Sequence, residues 1–340
     1  MASIDIGTNT ILLLISEVER GKIYPLFEME TVVRLGEGVH KNKILSYEAM
    51  ERGIQTLAQY LKRCQAMEVQ KIFAAGTSAL REAKNSGDFL KLVKEKLNLS
   101  IEVIPEEEEA QLSFLAVAKD LGKVNLVRNS RLCDSKPSGG FNPAGLILKS
   151  NPAAEQPDII SNGVKTPILV VDVGGGSTEF ILGKGDQIHR WISLRLGSVR
   201  LTEQFLHSNP VQDEEMEKME GKIREQLVHT PHSQEPFLMV AVGGTATTLA
   251  SVEQGLDEFI LEKIHHFVLK RDELEKQLLL YRSKTIEERK KIPGLPIARS
   301  DVILAGGTIL YLAMEELNCP SLLISCHGVR YGLLYKKLNL

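Results

Sequence analysis

Two short segments of this 340-residue chain resemble each other closely. Residues 5–10 read DIGTNT and residues 172–179 read DVGGGSTE, and each joins one apolar strand to another. The strand before the second copy, residues 167–173, is almost continuously apolar, which is typical of a strand buried on both faces. The duplication predicts a chain built in two halves, with both turns facing one shared site.

The residue types in both turns suit a bound phosphate. Glycines let the backbone turn tightly and bring N–H groups against an anion, and hydroxyl side chains add donors without bulk. An aspartate at the strand end, Asp5 or Asp172, makes sense in such a donor-rich turn if it holds a cation that also meets the phosphate oxygens. The candidate phosphate-binding residues of the two turns are Asp5, Gly7, Thr8, Asn9, Thr10, Gly174, Gly175, Gly176, Ser177 and Thr178.

One such turn alone would be weak evidence, because a GGGS sequence is more often an ordinary hairpin or linker. The duplication raises its weight. Both copies also sit between two strands, whereas a Walker loop or a dinucleotide fingerprint joins a strand to a helix, and neither copy contains Gly-Lys-Ser or Gly-Lys-Thr. The turns therefore predict a phosphate site of another kind.

Length and charge exclude several classes of protein. The chain is long enough for two domains, because single cores rarely grow beyond about 250 to 300 residues. It carries 41 Lys and Arg against 44 Asp and Glu, so its bulk charge calls for neither DNA nor an anionic membrane. The sequence contains no run of about 18 apolar residues, so no transmembrane helix is predicted. The first predicted strand begins too close to Met1 to leave room for a signal peptide. We expect a cytoplasmic protein.

The spacing of cysteines and histidines predicts no metal site. The cysteines form no C-x-x-C pair, which argues against both a structural zinc site and a disulfide framework. The histidines lack ligand spacing and are interpreted as structural. The residues concerned are Cys64, Cys133, Cys319, Cys326, His265, His266 and His327.

Helical periodicity is clearest at residues 46–67, where Ser46 is a candidate N-cap, and further helices are predicted at residues 213–227 and 271–282. After a short strand at residues 71–75, Thr77 or Ser78 can cap a helix over residues 79–84. The free N–H groups of that helix would face the strand ends, and Arg81 in its first turn can reach the same anion.

Two further turns carry glycine pairs. Strands predicted at residues 238–242 and 302–304 each lead into a pair of glycines, which places both pairs at helix N-termini. Such glycines either contact a ligand or only allow close packing of helix and strand. The two groups are Gly243-Gly244-Thr245 and Gly306-Gly307-Thr308.

Four consecutive glutamates, residues 106–109, follow Pro105. Proline at the first helical position followed by acids is a standard helix start, because the acids complement the helix dipole. This interpretation accounts for three of the four, and the residues alone do not show which glutamate has another role.

Together these residues resemble the exopolyphosphatase and guanosine pentaphosphate phosphohydrolase (Ppx/GppA) family, within the sugar kinase, Hsp70 and actin superfamily. The resemblance covers nearly the whole chain apart from residues 123–166. It rests on seven ordered motifs: residues 5–10; Gly76-Thr77-Ser78 with Arg81 and Asn85; Glu108-Glu109-Ala110; residues 172–179; residues 197–203; residues 243–249; and residues 328–334.

The resemblance implies an α/β fold of two ribonuclease-H-like domains with the active site in the cleft between them. We expect domain I at residues 1–122, with a C-terminal helix over residues 325–340 packing back on it, and domain II at residues 167–324. The proline-rich residues 123–166 are interpreted as a partly disordered surface insertion. The chain resembles the short members of the family, which lack an HD-like domain.

The resemblance also assigns roles to the site residues. Glu109 is the base that orients or deprotonates the attacking water. By the same resemblance Asp172 is the Mg²⁺ ligand, and Glu179 is a second carboxylate near the metal or the water. Mn²⁺ is an alternative ion. Arg81 and the two turns hold the terminal phosphates. Three positions depart from the family pattern, namely Gln111, Ala116 and Tyr331.

The leading hypothesis is an Mg²⁺-dependent hydrolase that releases orthophosphate from the end of inorganic polyphosphate. The alternative substrate is guanosine pentaphosphate, which presents the same terminal anhydride. Two other classes stay open: a small-molecule kinase of the superfamily, with ATP at residues 243–248, and a non-catalytic nucleotide or polyphosphate sensor. Family analogy also implies a homodimer.

Overall fold

The computed structural model describes residues 1–122, 132–133, 159–160, 163–164 and 166–340, so most of the expected insertion lies outside the described residues. The strands are β1 (Ala2–Ile6), β2 (Thr10–Glu19), β3 (Lys22–Val32), β4 (Ile72–Gly76), β5 (Glu102–Val103), β6 (Ile159–Ile160), β7 (Gly163–Val164), β8 (Ile168–Val173), β9 (Thr178–Lys184), β10 (Gln187–Leu194), β11 (Leu238–Val242), β12 (Val268–Lys270) and β13 (Ser321–Ile324).

The helices are interspersed among these strands. They are α1 (Val39–Asn42), α2 (Tyr47–Ala66), α3 (Ser78–Glu82), α4 (Ser86–Leu97), α5 (Glu106–Leu121), α6 (Ser198–Phe205), α7 (Asp213–Leu227), α8 (Gly243–Glu253), α9 (Leu261–Ile264), α10 (Arg271–Arg282), α11 (Ile286–Arg289), α12 (Ile303–Glu316) and α13 (Val329–Leu338), with a 3-10 helix at Ile297–Arg299.

Two sheets repeat one strand order. The first runs β3-β2-β1-β4-β5, and the second runs β10-β9-β8-β11-β13 with β12 added at its edge. In both, the central strand pairs antiparallel with the strand that follows it and parallel with a later one. This arrangement confirms the two-part α/β fold predicted from the sequence. It also places the two similar turns, β1–β2 and β8–β9, at equivalent positions.

Helices α5 and α13 lie between the two sheets. Phe114, Val117 and Leu121 of α5 pack against apolar residues of the second sheet. On the other side, Leu334 of α13 packs with Leu14 of β2, and its neighbours contact β1 and α5. Because α5 is held on both sides, the residue at its N-terminus has a fixed position between the lobes.

Local sequence signals account for several helix boundaries. The Ser46 hydroxyl accepts the Ala49 N–H at 3.1 Å, which confirms the predicted N-cap of α2. Helices α7 and α10 have the predicted bounds. The predicted cap of α3 is wrong: neither candidate side chain makes a capping bond, and the Thr77 hydroxyl donates to the Ile6 carbonyl at 3.3 Å instead.

The prediction of a strand at residues 302–304 is also wrong, because α12 already begins at Ile303. A short apolar run cannot be assigned to strand or helix by periodicity alone. Gly306 and Gly307 therefore lie inside the helix, where they allow close packing. A Cβ on Gly306 would lie 2.7 Å from the Thr245 hydroxyl, and one on Gly307 would lie 2.9 Å from Leu278.

The structure contains one disulfide, between Cys133 and Cys319, which contradicts the sequence argument against a disulfide. The two cysteines are 186 residues apart, so their spacing carries no signal of pairing. Cys64 and Cys326 are buried free thiols. Among the described residues, no helix is long and apolar enough to cross a membrane.

The contact between α5 and α13 requires a glycine. A Cβ at Gly332 would clash with the backbone of Leu112, which cannot rotate away. We expect Gly332→Ala to lower the free energy of unfolding by about 1–3 kcal/mol, the usual cost of overpacking, as measured by urea denaturation. The matched control is Gly221→Ala in α7, where nothing lies within 4 Å. It should raise stability by about 0.5–1 kcal/mol. Equal behaviour of the two variants would contradict this packing account.

Candidate active site

The two turns predicted to bind phosphate face each other. The same hydrogen bond closes both of them: Gly7 N–H donates to the Thr10 carbonyl at 2.9 Å, and Gly174 N–H donates to the Ser177 carbonyl at 3.0 Å. The turns also touch, because a Cβ on Gly175 would lie only 3.0 Å from the Thr8 side chain. Glycine is thus needed for the close approach of the two lobes.

A cavity of about 80 Å³ lies between these turns and the start of α5. Most of the residues predicted from the sequence line it. They are Asp5, Gly7, Thr8, Asn9, Thr10, Thr77, Ser78, Glu109, Asp172, Gly174, Gly175, Gly176, Ser177, Gly243 and Gly244.

Four predicted residues do not line this cavity. Thr178 is fully buried and its hydroxyl donates to the Leu196 carbonyl at 2.5 Å, so it holds the turn in place. Thr245 is buried against α12. Arg81 and Glu179 lie behind the residues that line the cavity. Arg81 donates to the Glu109 carboxylate, and Glu179 is close enough to Glu109 and Asp172 for their negative charges to raise its pKa.

Several polar atoms at the site lack a partner. Within the described part of the chain, the Thr8 hydroxyl, both side-chain polar atoms of Asn9, one Asp5 oxygen and one Arg81 nitrogen are buried without a hydrogen bond. Buried polar groups in native proteins are nearly always paired, and an unpaired one costs about 1–3 kcal/mol. Donors left open at a cavity of this size suit a phosphoryl group.

Glu109 differs from the three glutamates before it. Its side chain is buried, and one oxygen accepts from the Arg81 guanidinium at 2.6 Å. Glu108 instead pairs with Lys336, while Glu106 and Glu107 are exposed. Burial raises the pKa of Glu109 to about 7, and the Arg81 charge opposes this shift. The structure therefore distinguishes Glu109 from the other three glutamates, which the sequence alone could not do.

Three further carboxyl groups are buried near Glu109. Burial, with the negative charges of Glu109 and Asp172, raises the pKa of Asp5 to about 8. Burial also raises the pKa of Asp172, whose carboxylate accepts from the Ser113 hydroxyl at 2.8 Å. The pKa of Glu179 is raised by burial and by the same two acidic neighbours. These groups form the acidic cluster: Asp5, Glu109, Asp172 and Glu179.

The acidic cluster fits a divalent cation. Like charges buried together disfavour ionisation, and a hard cation with oxygen ligands removes that penalty. Asp5 and Asp172 line the cavity at equivalent strand ends, and one Asp5 oxygen has no partner. Glu179 is set back and accepts from the Ser193 hydroxyl at 2.8 Å. The donor set suits Mg²⁺ or Mn²⁺ held chiefly by the two aspartates.

Sequence reasoning missed Arg299, the one basic side chain that lines the cavity among the described residues. Its guanidinium lies against Gly244, whose lack of a side chain makes room for it, and it forms an ion pair with Glu30 of β3. No motif marks Arg299, because it enters the cleft from a 3-10 helix far along the chain. Ser113 and Ser193, which donate hydrogen bonds to Asp172 and Glu179, also lie in no motif that would have predicted their role.

The fold and the site together define a two-lobed α/β protein with an acidic cleft between two glycine-rich turns. The chain belongs to the Ppx/GppA phosphatase family, whose sequence model matches residues 14–127 and 159–340. This confirms the resemblance noted in the sequence.

Individual relatives agree with this assignment. The bifunctional 3-dehydroquinate synthase/phosphatase of Fusobacterium nucleatum is 32% identical over 335 residues, which is 95% of this chain and 44% of that protein, so the chain spans less than half of its length. The Aquifex aeolicus Ppx/GppA crystal structure is 30% identical with a TM-score of 0.74, covering 99% of this chain and 97% of that one. An exopolyphosphatase from Cytophaga hutchinsonii shares the fold, with 23% identity, 99% and 97% coverage and a TM-score of 0.78.

The raised pKa of Asp5 predicts how the stability of the metal-free protein depends on pH. The folded protein keeps a proton on Asp5 up to pH about 8, whereas the unfolded chain releases it near the ordinary value of 3.8. The free energy of unfolding should therefore fall as pH rises through this interval. We expect Asp5→Asn to reduce that fall and to be more stable than the unaltered protein at the alkaline end.

Chemical denaturation across this pH range, with a chelator present, measures the effect. The exposed Asp186→Asn in the β9–β10 turn is the matched control and should keep the pH dependence of the unaltered protein. A pH dependence that Asp5→Asn leaves unchanged would show that Asp5 is ionised in the folded protein.

Proposed function

We propose that this protein is an Mg²⁺-dependent exopolyphosphatase that releases orthophosphate from the end of inorganic polyphosphate by attack of water. The observation that carries the proposal is the placement of Glu109, a buried carboxylate at the edge of a phosphate-sized cavity built from two donor-rich turns. Membership of a phosphatase family supports the reaction class. Mn²⁺ is the alternative ion, and a cytoplasmic location and a homodimer stay predictions.

Hydrolysis of a phosphoanhydride needs an aligned water and donors around the transferred group, with little covalent help. Glu109 orients the water and accepts its proton. A pKa near 7 suits a general base at neutral pH. Arg81 holds the Glu109 carboxylate in place through the 2.6 Å contact.

The two turns supply the remaining contacts. Their backbone N–H groups, with Thr8, Asn9 and Ser177, surround the terminal phosphoryl group from both lobes. Asp5 and Asp172 would hold the cation. When bound, Mg²⁺ neutralises charge on the phosphate oxygens and on the leaving group.

A specific observation keeps guanosine pentaphosphate as a second candidate substrate. A cleft of about 900 Å³ adjoins the cavity and shares Leu12 and Arg299 with it. Its wall includes Phe259, Pro296 and Ile297. Apolar side chains offer nothing to a polyphosphate chain, whereas they suit the face of a nucleobase. This alternative leaves the proposed chemistry unchanged.

Glu109→Gln tests the proposed base. We expect this change to lower kcat for phosphate release from long polyphosphate by at least about 100-fold, with little effect on KM, because it removes the proton acceptor and keeps the shape. The matched control is Glu108→Gln, one residue away on the same helix turn and paired with Lys336. It should retain nearly full activity. Tight polyphosphate binding with turnover that Glu109→Gln does not change would instead favour a sensor or a different base.

Ile297→Ala separates the two candidate substrates. Ile297 lines the large cleft and 67% of its surface is exposed. If a nucleobase occupies the cleft, KM for guanosine pentaphosphate should rise by about 10-fold, from the loss of roughly 1–2 kcal/mol of apolar contact. KM for polyphosphate should not change. Ile44→Ala is the control, because Ile44 is also exposed, at 52%, and lies outside the cleft. An equal effect on both substrates, or none on the nucleotide, would remove the argument for a nucleobase.

A further inference from the structure

A second cluster of chemically active side chains lies away from the acidic cavity. Asp120 is in the last turn of α5, His265 and His266 precede β12, and His327 lies between β13 and α13. One ligand atom from each of Asp120, His265 and His327 lies within 4.8 Å of the other two. Sequence spacing predicted structural histidines, because it could not show that three distant segments meet here.

One distance in this cluster is too long for a hydrogen bond, and both suit two groups that share one ion. His327 Nδ1 lies 3.6 Å from one Asp120 oxygen, and His265 Nε2 lies 3.3 Å from the other. A distance of 3.6 Å is too long for a hydrogen bond. Two atoms bound tetrahedrally to one metal at 2.0–2.2 Å lie about 3.4 Å apart. The two observed distances, which run to different oxygens of Asp120, are close to that separation.

His327 supplies an independent observation. Its Nδ1 is buried and has no hydrogen-bond partner among the described residues, although it faces the Asp120 carboxylate. Tyr331 stacks on the His327 ring at 3.8 Å, so the ring orientation is held from the other side. A buried nitrogen fixed in this way lacks a proton acceptor at bonding distance and has a lone pair free for a metal.

Surrounding groups support the same three ligands. His266 Nε2 lies 2.7 Å from Asp120 Oδ2, which orients the carboxylate as second-sphere groups do in metal sites. His266 has a left-handed backbone with φ of 65°, a conformation that costs energy outside glycine. Arg330, the nearest cation in sequence to His327, is paired with Glu28 and so does not compete for Asp120.

We propose that Asp120, His265 and His327 bind a divalent transition metal of the Zn²⁺ type, which joins α5 to the second sheet and to the start of α13. Two imidazoles and a carboxylate favour Zn²⁺ over Mg²⁺, which prefers oxygen ligands. The site is separate from the acidic cluster, because Asp120 and Glu109 are about 16 Å apart along α5. The metal therefore has a structural role.

Binding requires one local change. Cys326 N–H now donates to His265 Nδ1 at 3.1 Å, which places the proton of the neutral ring on Nε2. Coordination through Nε2 transfers this proton to solvent and returns one to Nδ1, so the ring stays neutral and the Cys326 contact is released. The cost of that contact lowers the affinity of the site and does not abolish it.

Calorimetric titration of the full chain with Zn²⁺ tests the proposal, after chelation and with excess Mg²⁺ present to fill sites made of oxygen ligands. We expect one Zn²⁺ per chain, a rise in Tm on binding, and a Co²⁺ form with the visible absorption of tetrahedral coordination. His327→Ala should weaken Zn²⁺ binding at least about 100-fold and remove the rise in Tm. The exposed His189→Ala is the matched control and should bind like the unaltered protein.

Asp120→Asn and His265→Gln are tested in the same way, so that misfolding of one variant does not decide the result. Failure of the unaltered protein to bind one Zn²⁺ with micromolar or better affinity would overturn the proposal. So would equal binding by the folded ligand variants. Neither result bears on phosphate release, so the proposed function is tested separately.

Discussion

The burial of four carboxyl groups in one place is the constraint on which the rest of the structure depends. Burial raises the pKa of Asp5, Glu109, Asp172 and Glu179, and the negative charge of Asp172 raises the pKa of the other three further. Such a cluster is costly in a metal-free protein and persists because the surrounding elements fix it. Asp5 and Asp172 end equivalent central strands, and α5 brings Glu109 to them between two sheets. The duplicated fold is thus the means of bringing acids from three segments to one cavity.

Charge pairs across the cleft hold the two lobes together around this cluster. Arg299 of the second lobe pairs with Glu30 of the first, and Arg200 pairs with Glu82. Arg34 reaches Asp301 at 2.8 Å. These pairs are partly buried, so removing one partner would leave a poorly solvated charge and would cost more than the loss of a surface ion pair. Of these three arginines, Arg299 alone lines the cavity, so it is the one that a polyanion in the cavity would meet.

The fold was predicted from the duplicated turns together with the family resemblance, and most of the residues that line the cavity were predicted because they are encoded locally. A strand end, two glycines and a hydroxyl are adjacent in the chain, so residues such as Gly7 and Ser177 could be predicted from residue type alone. Glu109 needed the family resemblance, since its difference from Glu108 comes from burial against Arg81. Arg299, the Cys133–Cys319 disulfide and the cluster around Asp120 could not be predicted. Their parts come from segments far apart in sequence, and nothing in residue spacing indicates which of them meet.

The central claim is that this cavity directs water at a terminal phosphoryl group. The most direct measurement is phosphate release from long polyphosphate in ¹⁸O-labelled water, with and without Mg²⁺, followed by mass spectrometry of the product. Our account predicts release that depends on Mg²⁺, with one ¹⁸O atom in each orthophosphate freed from the chain end, because water is the nucleophile. Absence of release from both polyphosphate and guanosine pentaphosphate, or transfer of the phosphoryl group to an acceptor other than water, would contradict it.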